Sequence, residues 1–157
     1  MKFKDLLYIK WSNKQPVEGD VFVLNPRKDL YCYGKVIKTN ISSNDVFVNG
    51  MTLIFIYDYF EKELIVPKNL DCNEVLLVEI INNQLWKKGY AATIHHEMVS
   101  EKELKTDYGF WNIVKKIYVN EVGKPMNHVP KVKGEFGLGS YGVIGKQIQK
   151  IINERNL

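Results

Sequence analysis

The sequence predicts an α+β chain that is mainly β: a curved antiparallel sheet or a partly closed barrel, with a short helix near residues 100–106 and a C-terminal amphipathic helix near 140–154. Three observations carry that expectation. Six runs rich in β-branched and aromatic residues fall between positions 21 and 119. A Ser-x-x-Glu capping box stands at Ser100 and Glu103. Ile144, Ile148, Ile151 and Ile152 then recur at the spacing of a helix stripe.

Residues 21–24, Val-Phe-Val-Leu, form an unbroken apolar run closed by Asn25-Pro26, the pattern of a strand covered on both faces. Residues 30–38 follow a polar turn and are rich in Tyr, Val and Ile, so the two runs are expected to make a hairpin. The strongest strand spans 51–60, and residues 75–81 supply the next. Asn82-Asn83 reads as a turn into a fifth strand over 86–94, and 111–119 reads as the last. The helix opened by Ser100 ends before Tyr108-Gly109. In the C-terminal helix the isoleucine stripe is expected to seal one face or end of the sheet, with Lys146, Gln147, Lys150 and Glu154 largely turned to solvent.

The chain has 157 residues, 45% apolar and 25% charged, the balance of a globular protein with length enough for a core. No repeat, low-complexity tract or linker divides it, so residues 1–157 are expected to form one domain. The longest apolar run, residues 51–57, is far short of the roughly 20 needed to span a bilayer. Charge interrupts the N-terminal apolar residues, so no secretory leader is expected there and the expected compartment is cytoplasmic. Cys32 and Cys72 suit a reducing compartment and match no zinc or redox spacing. The formal net charge of +4 is unevenly spread: residues 41–100 carry 4 positive and 8 negative groups, between two basic ends. An acidic middle argues against one continuous nucleic-acid footprint.

His95-His96-Glu97, with His128, has metal-ligand chemistry, but adjacent strand residues point to opposite faces and cannot easily share an ion. Gly137, Gly139 and Gly142 literally match Gly-x-Gly-x-x-Gly, yet only 15 residues follow Gly142, too few for the second strand of a dinucleotide fold. These glycines are expected to let the backbone turn into the helix. No nucleophile elbow and no paired-acid pattern occurs, so no catalytic residue, cofactor or metal is expected.

Ordered motifs then point to a family. Gly19-Asp20-Val21-Phe22, then Tyr31-Cys32-Tyr33-Gly34, Trp86-Lys87-Lys88-Gly89-Tyr90 with Thr93-Ile94, Phe110, Tyr118–Gly123 and Gly137–Tyr141 together resemble the bacterial immunity protein 26 family over roughly residues 15–155. Asn25-Pro26-Arg27 and Gly145-Lys146 depart from the family's pattern near places where a partner could bind. The resemblance implies a cytoplasmic antidote, encoded beside a polymorphic toxin of an interbacterial competition system, whose partner is the cognate toxin domain. From run length and charge distribution, no membrane is expected as a partner and nucleic acid is not the expected one. A nucleic-acid-binding β-barrel whose strand aromatics stack bases is the alternative reading.

An inhibitor's contact residues vary with its toxin, so the shared motif residues are read as scaffold: Gly19, Asp20, Phe22, Gly34, Trp86, Gly89, Tyr90 and Phe110. The glycines, with Gly123, are expected at turns, bulges or close approaches, and the aromatics in the core. The partner-binding candidates lie elsewhere. Asp58, Glu61 and Glu63 cluster at the end of the strongest strand beside Tyr59 and Phe60, which look exposed. Aromatic anchors ringed by charge make a common hot spot, while a solvated loop is the plainer alternative.

Overall fold

A computed structural model describes residues 4–157. Positions 1–3 of the N-terminal stretch read as lacking a secretory leader lie outside the described residues. Five strands form an antiparallel sheet: β1 (Asp20–Arg27), β2 (Leu30–Lys38), β3 (Thr52–Glu61), β4 (Val75–Ile81) and β5 (Ala91–His96), in the order β4-β3-β2-β1-β5. A second sheet holds β6 (Tyr108–Asn112), β7 (Ile117–Val119) and β8 (Val132–Glu135) in the order β7-β6-β8, with β6 and β8 parallel. Among the described residues, three α-helices and a 3-10 turn over Leu70–Cys72 accompany the sheets: single turns α1 (Gln84–Lys87) and α2 (Glu101–Leu104), and α3 (Tyr141–Arg155). The curved-sheet expectation holds. The barrel alternative does not, because the strands divide into two sheets rather than closing one.

Strand alternation builds two cores, one on each face of the larger sheet. Phe22, Leu24, Cys32, Val36, Ile54, Ile56 and Ile81 face α3, where Ile144, Ile148 and Ile152 meet them with Leu6, Leu85 and Trp86. Val21, Val23, Tyr33, Leu53, Phe55, Tyr57, Val78 and Ile80 face the smaller sheet and its Phe110, Val119 and Val132. Residues 21–24 are therefore buried on both sides, as their unbroken apolar pattern requires.

Two expected strands are corrected. Residues 86–94 do not begin as a strand: the Asn82 carboxamide accepts from the Gln84 amide at 3.0 Å, and the chain makes one helical turn through Trp86. Gly89, at φ 82°, ends the turn by donating to the Trp86 carbonyl at 3.0 Å, so β5 starts only at Ala91. Residues 111–119 are not one strand either. The Asn112 side chain accepts from the Val114 and Lys115 amides, each at 3.1 Å, and Lys116 sits at φ 56°, folding the run into the β6–β7 hairpin. Strand β8 was not foreseen. In α3, Gln147 turns inward rather than to solvent.

Trp86 and Phe110 are buried, and Tyr90 packs half-buried against the core under α3. A Cβ at Gly34 would lie 2.4 Å from the Phe22 ring, so that crossing tolerates only glycine.

Candidate functional site

Strand alternation splits the acidic corner at the end of β3. Asp58 and Phe60 face α3; Tyr59 faces the other side. The Arg155 guanidinium, in the last turn of α3, donates to Asp58 Oδ1 at 2.6 Å. Phe60 packs against the helix-side core, and Tyr59 sets its ring edge-on to Tyr33 at 5.5 Å. The two aromatics are half-buried parts of the scaffold, not the exposed anchors that the sequence suggested. Glu61 accepts from the Tyr59 hydroxyl, and that bond, aided by burial, pushes the phenol up to about 12. Glu63 is exposed.

Beyond Glu63 the chain carries an exposed apolar run that sequence reasoning passed over: Leu64, Ile65 and Val66, at 45%, 37% and 50% exposure. It is held in place rather than loose. The Ile65 amide donates to the Tyr33 hydroxyl at 3.1 Å, and the Asn69 amide to Glu97 Oε1 at 3.0 Å. Of the five predicted contact residues, Glu63 is exposed and Glu61 half-buried, next to these three apolar side chains. Pro67 directly after a short apolar run was the available signal.

Two Lys–Glu–Tyr sets, one buried and one with its lysine partly exposed, lie on the face opposite α3. Lys35 donates to Glu103 Oε1 at 2.7 Å and to the Met98 carbonyl at 3.1 Å, while the Tyr57 hydroxyl donates to Glu103 Oε2. The capping box of α2 aims the same carboxylate inward, the Ser100 amide donating to Glu103 Oε1 at 3.0 Å. Burial and the Glu103 bond push the Tyr57 phenol far above its ordinary value. Lys38 and Tyr108 close on Glu121 in the same way, at 2.9 and 2.8 Å. Burial opposes ionisation of Glu121, yet the Lys38 and Tyr108 bonds hold its carboxyl below the ordinary range. Lys35 and Glu103 are each 1% exposed, and the pair fastens α2 and the sheet together.

The three histidines engage separate carboxylates: His95 with Glu97 at 3.3 Å, His96 with Asp20 at 3.3 Å, and His128 with Asp107 at 2.7 Å. Among the described residues no three His, Cys, Asp or Glu side chains converge as metal ligands. The glycine loop serves packing. The Gly139 amide donates to the Ile80 carbonyl at 2.7 Å, and a Cβ there would lie 2.7 Å from Glu79 Oε2. Ser140 then caps α3, accepting from the Val143 amide at 3.2 Å.

Glu79 is 4% exposed on the helix-facing side of β4. Burial pushes its carboxyl up to about 7, opposed by a hydrogen bond from Gln147 and aided by Glu135. A carboxyl whose folded pKa exceeds its unfolded value near 4.5 stabilises the fold in its neutral form. That contribution is complete below about pH 4.5 and is lost as pH rises through about 7. The shift corresponds to about 3 kcal/mol. Urea midpoints measured between pH 5 and 8 should fall with pH in the wild type and flatten in Glu79→Gln; parallel slopes would contradict the assignment.

The aromatics Phe22, Tyr33, Phe55, Tyr57 and Phe110 lie in the two cores, while Trp111 and Tyr118 pair on the smaller sheet outside them. No described helix is long and apolar enough to cross a membrane. No curated protein and no solved structure is recognisably similar to this chain. Residues 17–116 match the family described as Immunity protein 26, a span of 100 positions in a chain of 157 that takes in all five strands of the larger sheet. The chain belongs to the immunity protein 26 family.

Proposed function

We propose that this protein guards the cell that makes it by binding a cognate bacterial toxin domain and blocking it, with no chemistry of its own. Family membership carries that reading. The polar groups of the Lys–Glu–Tyr sets are consistent with it, because they satisfy one another's hydrogen bonds. The acidic corner, reduced to Glu61 and Glu63 with Leu64, Ile65 and Val66, is part of the proposed contact surface. It combines a small pre-formed apolar patch with a charged rim.

Survival of cells expressing the toxin domain, with and without this chain, tests the function. Protection is expected only when the chain is present, and equal survival without it would sink the proposal. Glu61→Lys combined with Glu63→Lys should keep the thermal midpoint and weaken the toxin complex at least tenfold, about 1.4 kcal/mol. Unchanged affinity in that folded variant would remove the corner from the interface.

A further inference from the structure

The larger sheet ends at β5, which pairs with β1 and has no strand on its other side. An antiparallel edge strand turns alternate amides and carbonyls outward. Among the described residues none of those outward groups in β5 has a backbone partner. The N-terminal segment does not supply one. It is fastened to α1 and the residues after it, with the Ile9 amide on the Gly89 carbonyl at 2.7 Å and the Ser12 amide on the Trp86 carbonyl at 3.0 Å. It rejoins the sheet where the Val17 amide donates to Asp20 Oδ2 at 3.0 Å. Between these anchors it bows away from the strand and leaves a cleft of about 560 Å³. Ala92 and Thr93 both line that cleft. Neighbouring strand residues point to opposite faces, so a cleft touching both runs along the strand's edge.

Four lysines stand in or beside the cleft. Lys10 and Lys14 line it, and Lys87 and Lys88 are exposed on the turn to which the segment is fastened. None of these four ammonium groups has an ion pair among the described residues. The acidic group in the cleft, Asp20, is already engaged by the Val17 amide and His96. Trp11 stands on the rim, 60% exposed.

We propose that the β5 edge is a strand-addition site that receives an extended, acidic segment of the toxin domain, an inference that rests on the proposed function. Backbone pairing along β5 supplies the fit, the lysines select acidic side chains, and Trp11 is the apolar anchor. Only a polypeptide can complete the open backbone edge, which separates this occupant from a nucleic acid. A second copy of the chain would bring two lysine-lined clefts together and is disfavoured by like charge.

The test uses the full chain and three labelled seven-residue peptides: alternating Asp and Val, the same sequence N-methylated at alternate amides, and a Lys-for-Asp version. The Asp peptide should shift the backbone amide resonances of residues 91–93, while the N-methylated and Lys peptides should bind at least tenfold more weakly. Lys10→Glu with Lys14→Glu should keep the thermal midpoint and lose at least tenfold in affinity for both the Asp peptide and the toxin domain. Equal binding of the N-methylated peptide, shifts confined to other residues, or a wild-type chain that sediments as a dimer would overturn the edge assignment. Unchanged toxin affinity in the folded double variant would show that the toxin docks elsewhere, leaving the function intact. A toxin domain that fails to bind the wild type would sink the function and the identity of the partner, and the edge would then stand or fall on the peptides.

Discussion

Replacing Trp86 with alanine should cost about 3–5 kcal/mol and lower the thermal midpoint by roughly 6–20 °C, a large part of a typical domain's stability. Trp86 is 2% exposed and meets the Phe22 ring edge-on at 5.2 Å, in the core between the larger sheet and α3. Its indole nitrogen donates to Thr93 Oγ1 at 3.1 Å, tying α1 to β5. Truncation therefore opens a cavity and strips a hydrogen bond at once. Phe110→Ala should cost a similar amount on the other side of the sheet, where the ring is fully buried. Trp86→Phe keeps the ring contact and should lose only about 1–2 kcal/mol. Both alanine variants should lose protection through low soluble protein, not through a specific binding defect. An unchanged midpoint in either would remove that residue from its core.

The second large effect belongs to the buried Lys35–Glu103–Tyr57 set. Lys35→Met removes the cation and leaves Glu103 holding a buried charge with only the Tyr57 hydroxyl and the Ser100 amide and hydroxyl around it. Breaking such a pair from one side costs about 3–5 kcal/mol. Lys35→Met with Glu103→Gln together should recover a substantial part of that loss, because neither buried charge then remains unpaired. Denaturant unfolding of the wild type, both single variants and the double variant closes the cycle. Purely additive losses would show that the two groups do not depend on each other.

The sequence made the larger sheet legible because its strands obey simple rules. Residues 21–24 are apolar without interruption and end at Asn-Pro, and they lie under both cores. Ser100 and Glu103 announced the capping box, which is present. The isoleucine spacing announced α3 and the face it covers. Failures arose where a local polar contact overrode propensity. Ile113 and Val114 favour strand by type, but Asn112 captures the next amides and leaves both at a hairpin tip, 77% and 86% exposed. Asn82 does the same before Trp86.

The candidate site was legible only in outline. Reading Tyr59 and Phe60 as exposed ignored that β3 is covered on both faces, so alternation sends each ring into a different core. Glu103 could be read as a cap but not as the partner of Lys35 and Tyr57, since those contacts span 68 and 46 positions of chain. The open edge of β5 depends on strand order, which no single run of residues encodes.

The central claim is that this chain acts by holding a toxin domain in a tight one-to-one complex. Isothermal titration of the purified toxin domain into the full chain measures it directly. Blocking a toxin inside a living cell requires nanomolar binding or better, about −12 kcal/mol. The expected result is a stoichiometry of one, an affinity in that range, and loss of toxin activity at the same equivalence point. Micromolar or absent binding, or a toxin that stays fully active in the saturated complex, would contradict it.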